Sequence, residues 1–146
     1  MKNKVSEPSE AYQIISKYGN MTGNDQVLTL AAMKGLKTGL FSDVISLTGF
    51  SRDIVAGWLD ISSKTLMNYE KQSKYLNPAS TELLLKIILL FEKGLKVFGD
   101  RIHFTRWLKK PAYGLGGVNP IEIMRTSGGV DLISDELTRI EYGDLA

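Results

Sequence analysis

The chain has 146 residues, of which 43% are apolar, with one histidine and no cysteine. That is enough for one compact helical unit and excludes a disulfide framework or a thiolate metal site. A net charge of +2 is too small to announce a nucleic-acid binder by itself, and the polar start MKNKVSEPSE together with the absence of a long apolar run points to the cytoplasm.

Residues 1–8 are polar and without periodicity, and are expected to be disordered. A first helix is expected from about Ser9 to Tyr18, with Tyr12, Ile14 and Ile15 on its apolar side and Gly19 ending it. Asn20 to Asn24 reads as a loop. A second helix should run from about Asp25 to Lys34, bury Val27, Leu28, Leu30 and Ala31, and stop at Gly35.

In the middle third, Thr38, Ser51 and Ser62 each precede a short helix, the first ending at Gly49, the second near Leu59 and the third near Ser73. Ala56 is small where two helices must approach, Ile61 fills the turn Asp60-Ile61-Ser62, and Leu66 faces inward. This segment resembles the Xre-type helix-turn-helix, whose third helix is the recognition helix. The resemblance assigns DNA contacts to Ser63, Lys64, Thr65, Asn68 and Lys71. Lysines would hold phosphates, and Asn68 has the paired donor and acceptor that read adenine. Two departures stand against it: Asp60 where glycine is usual, and Asn68-Tyr69 where arginines are common. Residues 40–76 also hold four cations and four anions, so the segment starts with little electrostatic affinity for DNA. A homodimer presenting two such helices would compensate; a purely structural segment is the plainer reading.

The longest element should start at Asn77 as cap and Pro78 as first helical residue, and run to Gly99. Leu84, Ile87, Ile88, Phe91, Leu95 and Phe98 follow at helical spacing. Around residues 83–91 it is apolar on more than one side, which predicts a central post and a candidate self-association surface. A shorter helix over 100–109 delivers the chain to Pro111. His103 has neither cysteine nor second histidine beside it and reads as a packing or surface residue, and Trp107 reads as core.

Beyond Trp107 lie two glycine pairs, Gly116/Gly117 and Gly128/Gly129. They are expected to bracket a short helix capped by Asn119, opened by Pro120 and ended by the second pair. Val130, Ile133, Leu137 and Ile140 then share one face of a last helix. The loop Tyr113-Gly114-Leu115-Gly116-Gly117 has no preceding strand and no GK[ST], so it reads as a chain reversal and not a phosphate cradle. Glu136 and Glu141 read as solvated or partner-facing. Charge is split: residues 77–111 carry seven cations against three anions, and residues from 112 on carry two against six. An acidic end can steer toward a positively charged cleft on a partner, and from charge alone a solvated helix face is an equal reading.

Val97-Phe98-Gly99-Asp100, Trp107-Leu108, Leu115-Gly116-Gly117, Pro120, Gly128 or Gly129, and Leu137 followed by Arg139-Ile140-Glu141-Tyr142-Gly143 together resemble the C-terminal toxin-binding domain of Xre/MbcA/ParS-type antitoxins. Tyr113 and Gly114 depart from it, since Asn and Ala are common there. The resemblance implies a type II antitoxin that binds a RES-domain, NAD-degrading toxin and occludes its active site through Gly116, Gly117, Pro120, Gly128, Leu137, Arg139, Ile140, Glu141, Tyr142 and Gly143. It implies no catalytic residue, metal or cofactor. Operator DNA and a second copy of the chain are further expected partners. The alternative is a helix-turn-helix regulator whose C-terminal part only dimerises. From the residues alone, Tyr142 ending the last helix against the core is the plainer reading; the resemblance makes it a plug, so that removing everything after Asp135 should abolish binding and leave a folded protein.

The expected architecture is all-α with seven or eight helices: 1–8 disordered, 9–76 the N-terminal helices and helix-turn-helix, and 77–146 the long helix with the C-terminal toxin-binding domain.

Overall fold

A computed structural model describes residues 2–143, with side chains from Glu10 onward. Within these residues the chain forms nine α-helices and two 3-10 turns, and no strand. The helices are α1 (Lys2–Lys17), α2 (Gly19–Thr22), α3 (Asp25–Lys34), α4 (Gly39–Thr48), α5 (Arg52–Trp58), α6 (Ser63–Lys71), α7 (Pro78–Phe98), α8 (Arg101–Leu108) and α9 (Ser127–Glu141). The 3-10 turns, Tyr113–Leu115 and Pro120–Ile123, lie between α8 and α9.

Most boundaries follow side-chain caps. Asn24, Ser51, Ser62, Asn77 and Asp100 each accept the backbone N–H three residues on, satisfying a donor that the first helical turn leaves open. Thr38 makes no such bond; it is buried ahead of α4. Asp60, the residue standing in place of glycine, adopts φ 56°, so the α5–α6 turn is left-handed with a carboxylate residue in it. The hydroxyl of Ser62 both caps α6 and donates to Thr65.

The N-terminal region departs from expectation. The backbone of α1 begins at Lys2, and the disorder expected of residues 1–8 falls outside the described side chains. Gly19 starts α2 where a loop was expected, because Tyr18 is drawn into the core and the chain coils directly after it. The Tyr18 hydroxyl donates to Asp43 of α4, and Lys17 pairs with the same carboxylate at 2.9 Å. Burial, reinforced by the Asp43 hydrogen bond and charge, pushes the Tyr18 phenol well above its usual range, so it stays a donor. On α3 the inward pair is Leu28 and Ala32, while Leu30 is exposed and Val27 and Ala31 only partly covered.

Helix α7 is the post that the others surround. Leu83, Leu84, Leu85, Ile87, Ile88, Leu90 and Phe91 are all buried, covered by α9, α3, α4, α8, α1 and α2. The apolar surface that the sequence offered for self-association is instead covered by the chain's own helices. An aromatic run, Trp58–Phe50–Phe91–Phe104, ties α5 to α7 and α8 at centroid separations of 5.7, 6.4 and 4.8 Å. Gly94 makes the closest approach possible, since a Cβ there would overlap the Phe104 ring. Trp107, expected in the core, is only half-buried and packs against the core's edge, stacking on Phe104.

Candidate functional site

After α8, the chain turns back on itself before α9. Gly116 and Gly117 both have positive φ, 71° and 82°, and their N–H groups go to the carbonyls of Tyr113 and Ala112. Those two donors are consumed within the turn. Pro120 opens the second 3-10 turn and is buried; Asn119 makes no side-chain cap.

Gly128 and Gly129 were expected to end this short helix, and they do not. They lie in the first turn of α9, which Thr126 caps by accepting the Gly129 N–H at 2.9 Å. A Cβ on Gly129 would overlap the carbonyl oxygen of Ile123, whereas a Cβ on Gly128 would meet nothing. Of the two, Gly129 carries the steric requirement. It lets the helix start against the preceding turn.

Helix α9 is docked along α7. Val130, Ile133 and Leu137 are buried and Ile140 is half-buried. Lys86 reaches Asp131 at 3.0 Å, and Lys93 bonds Ser134 and Thr138. The basic α7 therefore neutralises part of the acidic end that the sequence presented as free. Leu137 and Pro120, assigned to partner contact, are buried and support the surface from beneath.

On the opposite side, Gly128, Leu132, Asp135, Arg139 and Tyr142 recur at intervals of four, three, four and three, and all are exposed. Leu132 is 55% and Tyr142 74% exposed. Tyr142 thus stands out from the body and does not end the helix against the core. Glu141 and Gly143 are exposed beside it, and Gly143 has φ 74°. The turn Tyr113–Leu115 packs on α9, and its Tyr113 is 86% exposed, a second exposed tyrosine in this segment. Sequence reading missed Tyr113 and Leu132 as parts of the surface.

It also misread Glu136. That carboxylate is 1% exposed, so it is neither solvated nor partner-facing. Its Oε1 accepts the Arg139 Nε–H at 2.8 Å and forms an ion pair with Nη2 at 2.6 Å, and its Oε2 has no partner among the described residues. A signal was present: Glu136 lies one turn after Ile133 and one turn before Ile140, at the edge of the apolar face.

Residues 93–143 match the family model of the antitoxin Xre/MbcA/ParS C-terminal toxin-binding domain. This segment, roughly a third of the chain, is thus similar to an antitoxin's toxin-binding domain. No curated protein matches the chain. The domain opens inside α7 and closes just past α9, so its hydrophobic support comes from the post that the N-terminal helices share. No helix of the described residues is long and apolar enough to cross a membrane.

The positions assigned to DNA contact lie together on α6. Lys64, Asn68 and Lys71 are exposed, and Ser63 and Thr65 are half-buried. Glu70, on the same helix, is held by Arg52 at 2.6 Å and by the Ser42 hydroxyl at 2.8 Å. At the start of α8, His103 is exposed, with Nδ1 2.8 Å from Asp100. The His103 backbone N–H, and then its ring, hold the Asp100 carboxyl below the usual carboxylate range.

Proposed function

We propose that this antitoxin neutralises a RES-type, NAD-degrading toxin by laying the Tyr113, Arg139 and Tyr142 side of its toxin-binding domain into the toxin's cleft, blocking entry of NAD. The observation that carries the reading is the exposure of Tyr142 at the end of a helix whose other face is locked into the core. Tyrosine and arginine are the residues from which interface hot spots are built, because they desolvate a large area and keep a polar tip. Held on a docked helix, Tyr142 is pre-organised and loses little freedom on binding.

Co-expression with a RES-domain toxin tests this. The parent chain should preserve growth and cellular NAD, and Tyr142→Ala should lose roughly 30-fold or more in toxin affinity, the scale of a hot spot of about 2 kcal/mol. Full protection by the Tyr142→Ala chain would refute the plug.

A second activity is favoured by the pairing of Glu70 with Arg52, which leaves Lys64 and Lys71 flanking Asn68 on the outer face of α6. On this reading a homodimer represses its own operon through a helix-turn-helix formed by α5 and α6. Operator affinity should then fall steeply with salt, and replacing Lys64 and Lys71 should reduce the salt slope by about two phosphates per copy. An unchanged slope would leave α6 a structural helix.

A further inference from the structure

Glu136 is the only charged residue buried outright among the described residues. A buried carboxylate is costly unless its partners answer both oxygens, and here only Oε1 is answered. Nothing in the docking of α9 on α7 calls for a charge at this place, since Val130, Ile133 and Leu137 supply the contact. What the burial does accomplish is to immobilise Arg139. Both Nε and Nη2 of that guanidinium are tied to one fixed oxygen, while the side chain remains 45% exposed. The donors of its outer edge are left over, and they sit on the stripe that runs from Leu132 to Tyr142.

The cover over the carboxylate is Gly114. A Cβ at that position would overlap both oxygens of Glu136, so the backbone of the Tyr113–Leu115 turn closes directly on the pair. The carboxylate cannot swing aside as a surface glutamate would, because it is buried and also held by Arg139. The pair is also neutral as a unit, so a guanidinium held this way enters a protein interface without an uncompensated charge.

We infer that Glu136 is a positioning residue of the toxin-binding surface: sealed beneath Gly114, it fixes the Arg139 guanidinium so that its free edge meets acceptor oxygens on the toxin. The inference rests on the toxin-facing reading of α9 given above. It adds a device that the exposed residues alone do not show, in which a residue out of the partner's reach sets the affinity through one within it.

The test uses the full chain with Glu136→Gln, Gly114→Ala, Arg139→Ala and the Glu136→Gln/Arg139→Ala pair. Free of toxin, the Arg139 Nε–H should give a resolved, slowly exchanging proton-nitrogen NMR signal, assigned by its loss in Arg139→Ala. That exchange should quicken at least tenfold in Glu136→Gln and in Gly114→Ala. Glu136→Gln removes a buried charge at almost unchanged shape, so its Tm should be equal to or above the parent's while its affinity for the RES-domain toxin falls about tenfold. A residue that merely supported the fold would move affinity and Tm together. In the Arg139→Ala background, Glu136→Gln should change affinity no further.

An Arg139 signal as slow in Glu136→Gln as in the parent, or parental toxin affinity in Glu136→Gln or Arg139→Ala, overturns the inference. Tyr142→Ala reports separately on the plug, so the two can fail independently. If Gly114→Ala does not fold, Glu136→Gln decides alone.

Discussion

Replacing Gly129 by alanine should destabilise the protein by about 3 kcal/mol, the upper part of the range for forcing extra volume into a packed interior, while Gly128→Ala should be neutral or stabilising. The two glycines are neighbours in one helical turn, yet their surroundings differ in kind. A methyl group on Gly129 is driven into the Ile123 carbonyl oxygen. That oxygen belongs to the backbone, and the next residue, Met124, is fully buried, so the obstacle cannot rotate away. Relief requires α9 to shift off the 3-10 turn, which would disturb the Thr126 cap and the seating of Val130. Gly128 has open space for its methyl group, and alanine is a better helix former than glycine by up to about 1 kcal/mol. Thermal unfolding should therefore show Tm lower by roughly 6–12 °C for Gly129→Ala and no lower for Gly128→Ala, on a scale of about 2–4 °C per kcal/mol for a chain of this size. Equal shifts for the two would mean that α9 begins differently from the helix described.

A chain ending at Asp135 should fail to fold, against the expectation that the C-terminal residues form a detachable plug. The cut removes Leu137 from the core, the half-buried Ile140, and the Thr138 hydroxyl that Lys93 bonds. Truncating a single buried leucine to alanine costs about 2–5 kcal/mol, and losing the helix that carries it removes a large share of a total stability of about 5–15 kcal/mol. Circular dichroism and gel filtration of the shortened chain should show lost helix or aggregation. Tyr142→Ala, by contrast, changes an exposed residue and should leave stability within about 0.5 kcal/mol of the parent, while toxin protection collapses. A folded, monodisperse chain ending at Asp135 would show that α9 is not needed to close the core over α7.

The order and limits of most helices could be read from the residues. Asn77-Pro78 at the start of α7, Gly99 at its end and the Ser51 and Ser62 caps are local signals, set by backbone donors that a side chain within three residues can satisfy. The motif string from Val97 to Gly143 was legible for the same reason, being an ordered set of residue types along the chain. The start of α2 was not, because it depends on Tyr18 finding Asp43, 25 residues away. Nor was the role of Gly128 and Gly129, since glycine both ends helices and permits close approach, and only the position of Ile123 decides between the two.

The sequence by itself determined that the chain is all-helical, where its long apolar helix lies, and that its C-terminal third is similar to a toxin-binding domain, because periodicity, caps and motif order are properties of neighbouring residues. Which residues of that segment are left on the surface was decided only by tertiary packing. Leu137 and Glu136 go inside while Tyr142 and Tyr113 stay outside, since burial depends on which faces of α9 the α7 helix and the Tyr113–Leu115 turn cover, and those elements are remote in the chain.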